Sequence, residues 1–307
     1  MAGYFGPMTE VATPDLPPGV TVVTTEGGGG LEAVRVETQA ARGLVYLNGA
    51  HLAEWTPAGA EPVLWMSVHS AFAVGSPIRG GVPVCGPWFG PGRSGDRAPA
   101  HGWFRISQWT LAGASVDGDG AATLTFTLDG RDAAAAVTEG SSREVRAEYV
   151  VTLWRALELA LTVSAGTEPL ELEEALHTYL AVSDVRSVTV SGLDGVSYVD
   201  KVAGGTHEVQ AGDVTFSGET DRVYAHEDSA TVHDPGLGRR IVLTKEGSGS
   251  TVVWNPWVAK SAAMPDFGDD EWPGMVCLEA GNALDSAVLL GPGESHTLLA
   301  RYELESA

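Results

Sequence analysis

The amino-acid sequence predicts an all-β chain, a large antiparallel β-sandwich. Three observations carry this: short runs alternate between apolar and polar residues, Gly, Asn and Asp punctuate them at regular spacing, and no long amphipathic helical stretch appears. In chain order, residues 1–30 are rich in Pro, Thr and Gly and end in EGGGG, which reads as a flexible segment. The glycine run lacks the Lys-Ser or Lys-Thr and the helix of a phosphate loop, and Leu-Glu-Ala follows instead. GLVYLNGAHLAEW (43–55) sets an Asn-Gly turn between two apolar arms and predicts a hairpin. ATLTFTLDG (122–130) alternates and ends in Asp-Gly. EVRAEYVVTLW, LELALTVSA, SVTVSGL, RRIVLTKE, STVVWNPW and HTLLARYEL are further strand candidates, rich in β-branched and aromatic residues. EEALHTYLAV (173–182) has helix-favouring Glu, Ala and Leu, but its period of two and its strand neighbours predict strand. With about fifteen or more strands and no linker after residue 30, residues 31–307 are expected to form one domain, a sandwich rather than a small barrel.

Composition narrows the function classes. Of 307 residues, 44% are hydrophobic and 19% charged, enough for a sizeable core. The net charge of −22 argues against nucleic acid or an anionic membrane as partner, while leaving room for a small anion held by a few local arginines. Two distant cysteines, Cys85 and Cys277, form neither a disulfide framework nor a zinc spacing. No basic-then-apolar leader is visible, and no apolar run nears the roughly 20 residues that span a bilayer. A reduced, cytoplasmic, soluble monomer is expected.

Several stretches are suited to chemistry. MVCLEAGN (275–282) puts Glu279 in a hydrophobic strand, where an unpaired carboxylate is costly. Strand alternation sets Met275, Cys277 and Glu279 on one face, and Ala175, His177 and Tyr179 on one face of the other strand. If those faces line one hollow, His177 and Glu279 make an acid/base pair; the residues alone also fit a hydrogen-bonded core histidine and a glutamate ending a strand in solvent. Arg79 is the only charge in SPIRGGVPVCGPWFGPG (76–92), and it precedes Gly80-Gly81. Such an arginine suits a carboxylate or phosphate, or simply sits on the surface beside a tight corner. PAHGWFRISQW (99–109) groups His101, Trp103, Arg105 and Trp109, whose tryptophans suit either sugar stacking or a core. NPWVAKSAAMPDFGDDEW (255–272) reads as a long loop in which Lys260 can pair with Asp266, Asp269 and Asp270; its spacing is not that of an EF-hand. His226, His233, Asp228 and Asp234 lack ligand spacing and read as surface.

Taken together and in order, PIRGGVPVCGPWFG, AHGWFR, ALHTYLAV, GLDGVSYVDK, ETDRVY and NPWVAKSAAMPDFGDDEWPGMVCLEAGN resemble the hexose-6-phosphate mutarotase family, the glucose-6-phosphate 1-epimerases among aldose 1-epimerase-like proteins. The resemblance runs from about residue 35 to 305, and the last motif is the most specific. It implies a galactose-mutarotase-like supersandwich that interconverts the α and β anomers of a sugar phosphate without metal or organic cofactor. It also implies Glu279 as general base, His177 as general acid, and His101 and Asp221 as groups holding sugar hydroxyls and the ring oxygen. Arg79 and Arg105 become the phosphate candidates. Two departures, Gly86 where an aromatic is usual and Phe104 where alanine is usual, leave substrate preference open. An aldose 1-epimerase for unphosphorylated sugars, and a non-catalytic sugar-binding sandwich with Trp88, Trp103 and Trp109 as a platform, are the alternatives.

Overall fold

The computed structural model describes residues 15–25, 29–133 and 144–306. Among them, two large antiparallel sheets dominate. The nine-stranded sheet runs, edge to edge, Val214–Thr215, Thr189–Ser191, Ala230–Asp234, Arg239–Glu246, Ser295–Ser306, Ala156–Ser164, Arg146–Leu153, Ala122–Asp129 and Thr110–Val116. The eight-stranded sheet runs Thr206–Val209, Ser197–Asp200, Thr220–Ala225, Ser250–Asn255, Met275–Asn282, Glu174–Leu176 and Val84–Cys85, with Tyr179–Ala181 also paired to Met275–Asn282. The strand candidates of the sequence all fall in these sheets or in the smaller four-stranded sheet of Val20–Thr25, Leu31–Glu37, Ala41–Tyr46 and His51–Pro57. The Asn-Gly hairpin forms as expected, with Tyr46 opposite His51.

The N-terminal expectation needs correction. Val20–Thr25 pairs along its length with Leu31–Glu37, because Val20 is buried and its strand covers an otherwise open sheet edge. Residues 1–14 and 26–28 lie outside the described residues. The stretch 255–272 also differs: Trp257–Ala263 is a short α-helix, carried by an Ala-rich turn after Pro256. Among the described residues, no helix is long and apolar enough to cross a membrane.

The two large sheets share one core. On the inner face of Met275–Asn282, Val276, Leu278 and Ala280 are fully buried, and Tyr302 of the other sheet donates its hydroxyl proton to Leu278 O at 2.7 Å. Burial on both faces explains why that strand reads as a continuous apolar run rather than an alternation.

A carboxylate is caught in this interior. Glu174 is fully buried; Asn282 Nδ2 donates to its Oε1 at 3.0 Å, His296 Nε2 lies 3.4 Å away, and Oε2 has no partner. Burial pushes its carboxyl up to about 8, against the Asn282 hydrogen bond. A pKa raised on folding means that the native state holds its proton longer, so stability is full below about pH 4.5 and falls as pH rises toward 8. Glu174→Gln is expected to remove this slope and to raise stability at pH 8 by on the order of 2 kcal/mol, several degrees in Tm. Parallel melts of both proteins at pH 5 and pH 8 check it; equal slopes would refute it.

Candidate active site

Strand register builds the site. Leu176 pairs with Ala280 and Tyr179 with Cys277, and these two pairings share one register, which sets His177 opposite Glu279. On the next strands, Trp254 lies opposite both Cys277 and Asp221, and Val252 opposite Glu279. Because alternate residues share a face, one row across the sheet carries Asp221, Trp254, Cys277 and Tyr179, and the adjacent row carries Val223, Val252, Glu279 and His177. This is the outer face, and a cavity of about 300 Å³ opens over it. That volume is at the small end of ligand pockets, ~300–1,000 Å³.

The two central side chains touch. His177 Nδ1 lies 3.3 Å from Glu279 Oε1; the glutamate is fully buried and the histidine side chain 11% exposed. Apart from this approach, neither carboxylate oxygen nor Nδ1 has a hydrogen-bond partner among the described residues. Burial, and secondarily Asp221, pushes the Glu279 carboxyl well above its ordinary range, with Lys201 opposing. Burial, then the cations Arg79 and Arg105, pushes the His177 imidazolium well below its own. Both directions favour an uncharged pair. Aromatic neighbours fix the imidazole: Tyr179 stacks on it at 4.8 Å and 11°, with Trp254 and His101 edge-on at 5.9 and 5.8 Å.

The sequence-predicted residues gather here with one exception. His101, Asp221 and Arg79 line the cavity together with His177 and Glu279. His101 sits in a left-handed turn (φ 65°), receives the Gly90 N–H on Nδ1 at 3.4 Å, and packs edge-on against Phe89. Burial first, then Arg105, holds it well below its ordinary pKa, so it meets a ligand as a neutral imidazole. Asp221 approaches Lys201 at 3.7 Å and Lys260 at 3.9 Å; burial nonetheless raises its carboxyl. Arg79 is held from two sides: Nε and Nη2 donate to Asp266 at 3.2 Å each, and Nη1 donates to Tyr179 Oη at 2.9 Å. The following glycines are needed there. A Cβ on Gly80 (φ 109°) would lie 2.5 Å from Trp65 O, and one on Gly81 (φ 54°) 2.2 Å from Leu52 O.

Arg105 is the exception. It sits on the short 3₁₀ turn Phe104–Ile106, its Nη2 donates to Ala100 O at 2.7 Å, and it does not line the cavity. Its charge reaches His101 and His177 from outside the wall. Lys201 and Lys260 supply the remaining cavity cations. Lys260 pairs with Glu219 at 2.8 Å instead of the downstream aspartates, because Trp257–Ala263 is helical and Asp266 is taken by Arg79. Lys201 ends the GLDGVSYVDK motif, and only its place at a strand end beside Asp200 marked it in the sequence.

Other features resolve as structural. Trp88, Trp103 and Trp109 are buried, their indole rings packed among core residues, so no exposed platform exists among them. His226 and Asp234 are buried rather than on the surface: His226 Nδ1 bonds Thr251 Oγ1 at 3.0 Å, and Asp234 accepts the Ser183 N–H at 2.8 Å. Two concavities of about 490 Å³ lie elsewhere, one on the four-stranded sheet and one beside Pro265–Glu271. Neither is lined by a buried polar side-chain atom lacking a partner, which distinguishes them from the His177–Glu279 cavity.

Comparison with known proteins agrees with this architecture. The family model described as aldose 1-epimerase matches residues 33–303. A protein of Escherichia coli K12 is 37% identical over 83% of this chain and 85% of its own length, and one from Cenchrus ciliaris is 32% identical over 81% and 77%. Both carry the name "Putative glucose-6-phosphate 1-epimerase". The crystal structure of YeaD from Salmonella typhimurium superposes with a TM-score of 0.86 at 30% identity, covering 96% of each chain. A galactose mutarotase-like protein from Clostridium acetobutylicum, 14% identical with a TM-score of 0.68 over 94% of this chain and 98% of its own, shares the fold. With its model matched over nearly the whole chain, this protein belongs to the aldose 1-epimerase family.

Proposed function

We propose that the chain is a hexose-6-phosphate mutarotase, interconverting the α and β anomers of glucose 6-phosphate or a closely related aldohexose 6-phosphate. The observation that carries the reading is the buried His177–Glu279 contact at the floor of a cavity that also holds Arg79, Lys201 and Lys260. Ring opening needs a proton removed from the C1 hydroxyl and one delivered to the ring oxygen. Glu279 Oε2 and His177 Nε2, the atoms facing away from the mutual contact, meet these two oxygens. Glu279 as carboxylate takes the first proton, and His177 as imidazolium gives the second. The C1–C2 bond then rotates in the open aldehyde, and closure reverses both transfers.

The proton count makes the pair self-sufficient. Carboxylate plus imidazolium opens the ring and becomes carboxylic acid plus imidazole; that uncharged pair closes it and returns to the start. Both forms hold the same number of protons, so turnover draws none from solvent. The dry environment raises Glu279 and lowers His177, shifting the balance toward the uncharged form, the one that closes the ring. Only protons move, so the chemistry itself calls for neither metal nor organic cofactor. His101 and Asp221 hold hydroxyls and the ring oxygen at the rim. The same reading makes the protein a monomeric, cytoplasmic, single-domain enzyme on a small metabolite.

Phosphate recognition falls to Arg79, Lys201 and Lys260, each of which already faces a carboxylate: Asp266, Asp221 and Glu219 respectively. An incoming phosphate competes with these partners, and the overall charge of −22 gives it no long-range attraction. A moderate preference is therefore expected. Arg79→Ala should lower kcat/KM for glucose 6-phosphate by ~10–100-fold, the loss of a charge-assisted contact, and lower that for glucose less, by only what its charge and its Tyr179 hydrogen bond contribute at His177. Polarimetry on both sugars reads this directly. Equal losses for the two, or no advantage of the phosphorylated sugar in the parent enzyme, would transfer the reading to an aldose 1-epimerase of free sugars.

A further inference from the structure

We propose that His177, Cys277 and Glu279 form a site for a thiophilic divalent cation such as zinc, whose binding silences the acid/base pair. The three donors are an imidazole nitrogen, a thiol sulfur and a carboxylate oxygen, and these atoms lie within 4.8 Å of one another. Two of the side chains are aimed at this point with nothing else to bond: both Glu279 oxygens and His177 Nδ1 lack hydrogen-bond partners. Cys277 is a free, buried thiol on the strand that carries Glu279, two residues away and therefore on the same face. His177 enters from the neighbouring strand by the shared register. Strand pairing thus brings three different donor types together: His177 and Glu279 line the cavity, and Cys277 is fully buried beside them, outside its lining.

Donor chemistry selects the ion. A nitrogen, sulfur and oxygen set suits zinc and its thiophilic neighbours, whereas magnesium and calcium require oxygen ligands. Tetrahedral zinc, with bonds of ~2.0–2.3 Å, spaces its ligand atoms ~3.3–3.8 Å apart. The His177–Glu279 pair already meets that spacing at 3.3 Å. The sulfur needs a side-chain adjustment of about 1 Å from its present limit of 4.8 Å. Three protein ligands leave a fourth position open toward the cavity for water. Binding converts the Cys277 thiol to thiolate, its proton passing to solvent, with no redox change. With the metal on the Glu279 carboxylate and His177 Nδ1, the carboxylate is no longer a free base and the imidazole cannot take up the second proton that makes it an acid, so the cation acts as a chelator-reversible inhibitor.

The inhibition arm rests on the proposed mutarotase activity; a spectroscopic arm does not. Cobalt(II) added to the metal-free, reduced protein is expected to give a near-ultraviolet thiolate-to-cobalt charge-transfer band, bleached by one equivalent of zinc and absent in Cys277→Ser. In the kinetic arm, zinc should inhibit anomer exchange of glucose 6-phosphate, while magnesium at the same concentration does not. Cys277→Ser, which changes no proton-transfer group, should keep activity and weaken zinc inhibition by ~10-fold or more through loss of the thiolate. A wild-type protein without the cobalt band overturns the proposal, as does zinc inhibition equally strong in Cys277→Ser. Should the chain lack mutarotase activity, the cobalt spectrum still decides the site; should Cys277→Ser fail to fold, zinc displacement of the wild-type band does.

Discussion

Glu279→Gln should lower kcat for anomer exchange by ~10²–10⁴-fold, the usual worth of one general base, while the protein stays folded and melts no lower than the wild type. Glutamine keeps the shape and fills the same space but cannot accept the C1 proton. Stability should hold or rise because the parent residue carries a desolvation penalty: Glu279 is fully buried, its oxygens lack hydrogen bonds, and its carboxyl is pushed far up by burial. Lost activity with retained or improved stability separates a catalytic role from a structural one, since removing a structural carboxylate normally strands its partners. NMR exchange between anomers, paired with thermal melts, measures both. A variant within ~10-fold of wild-type rate would remove Glu279 from the mechanism. The non-catalytic sugar-binding alternative makes the opposite forecast, no rate enhancement in any variant, and it has already lost its tryptophan platform to the core.

How much of this was legible in the sequence depends on the range over which each signal acts. Alternation is local, and it placed Glu279 with Cys277 and His177 with Tyr179 on shared faces, as the strand register bears out. The Asn-Gly hairpin and the Gly80-Gly81 corner were legible for the same reason, since backbone geometry there is dictated by residue type. Partner choice is not local. Nothing in the spacing of Lys260 and Asp266 announces that Arg79 takes the aspartate and Glu219 the lysine, because those partners arrive from elements far apart in the chain. Arg105 misled because its neighbours His101 and Trp103 are informative, while the 3₁₀ turn that carries it directs its guanidinium to Ala100 O. His226 and Asp234 misled in the other direction: polar side chains are usually exposed, and these two are buried because Thr251 and Ser183 satisfy them.

Gly86 and Phe104 should behave as one unit in a double-mutant cycle. The family resemblance expects an aromatic residue at position 86 and alanine at position 104, and singly each departure suggested an altered pocket. Neither lines the cavity. A Cβ on Gly86 would lie 2.4 Å from Phe104 Cδ2, and the Phe104 ring is fully buried edge-on against Trp103 at 4.7 Å. The Phe104 ring thus fills the space that a side chain at position 86 would need. Phe104→Ala alone should cost ~3–5 kcal/mol as a large cavity opens. Gly86→Phe alone should cost ~1–3 kcal/mol or more, since two rings compete for one space. Combined, the two should recover ~1–3 kcal/mol relative to the sum of the single losses, with kcat/KM for glucose 6-phosphate near that of the wild type. Denaturant midpoints of the four proteins give the coupling, and strictly additive losses would show that the two positions do not share a site. Because this contact is confined to the packing behind the cavity, it adjusts how the wall is built and leaves the acid/base pair facing the same hollow.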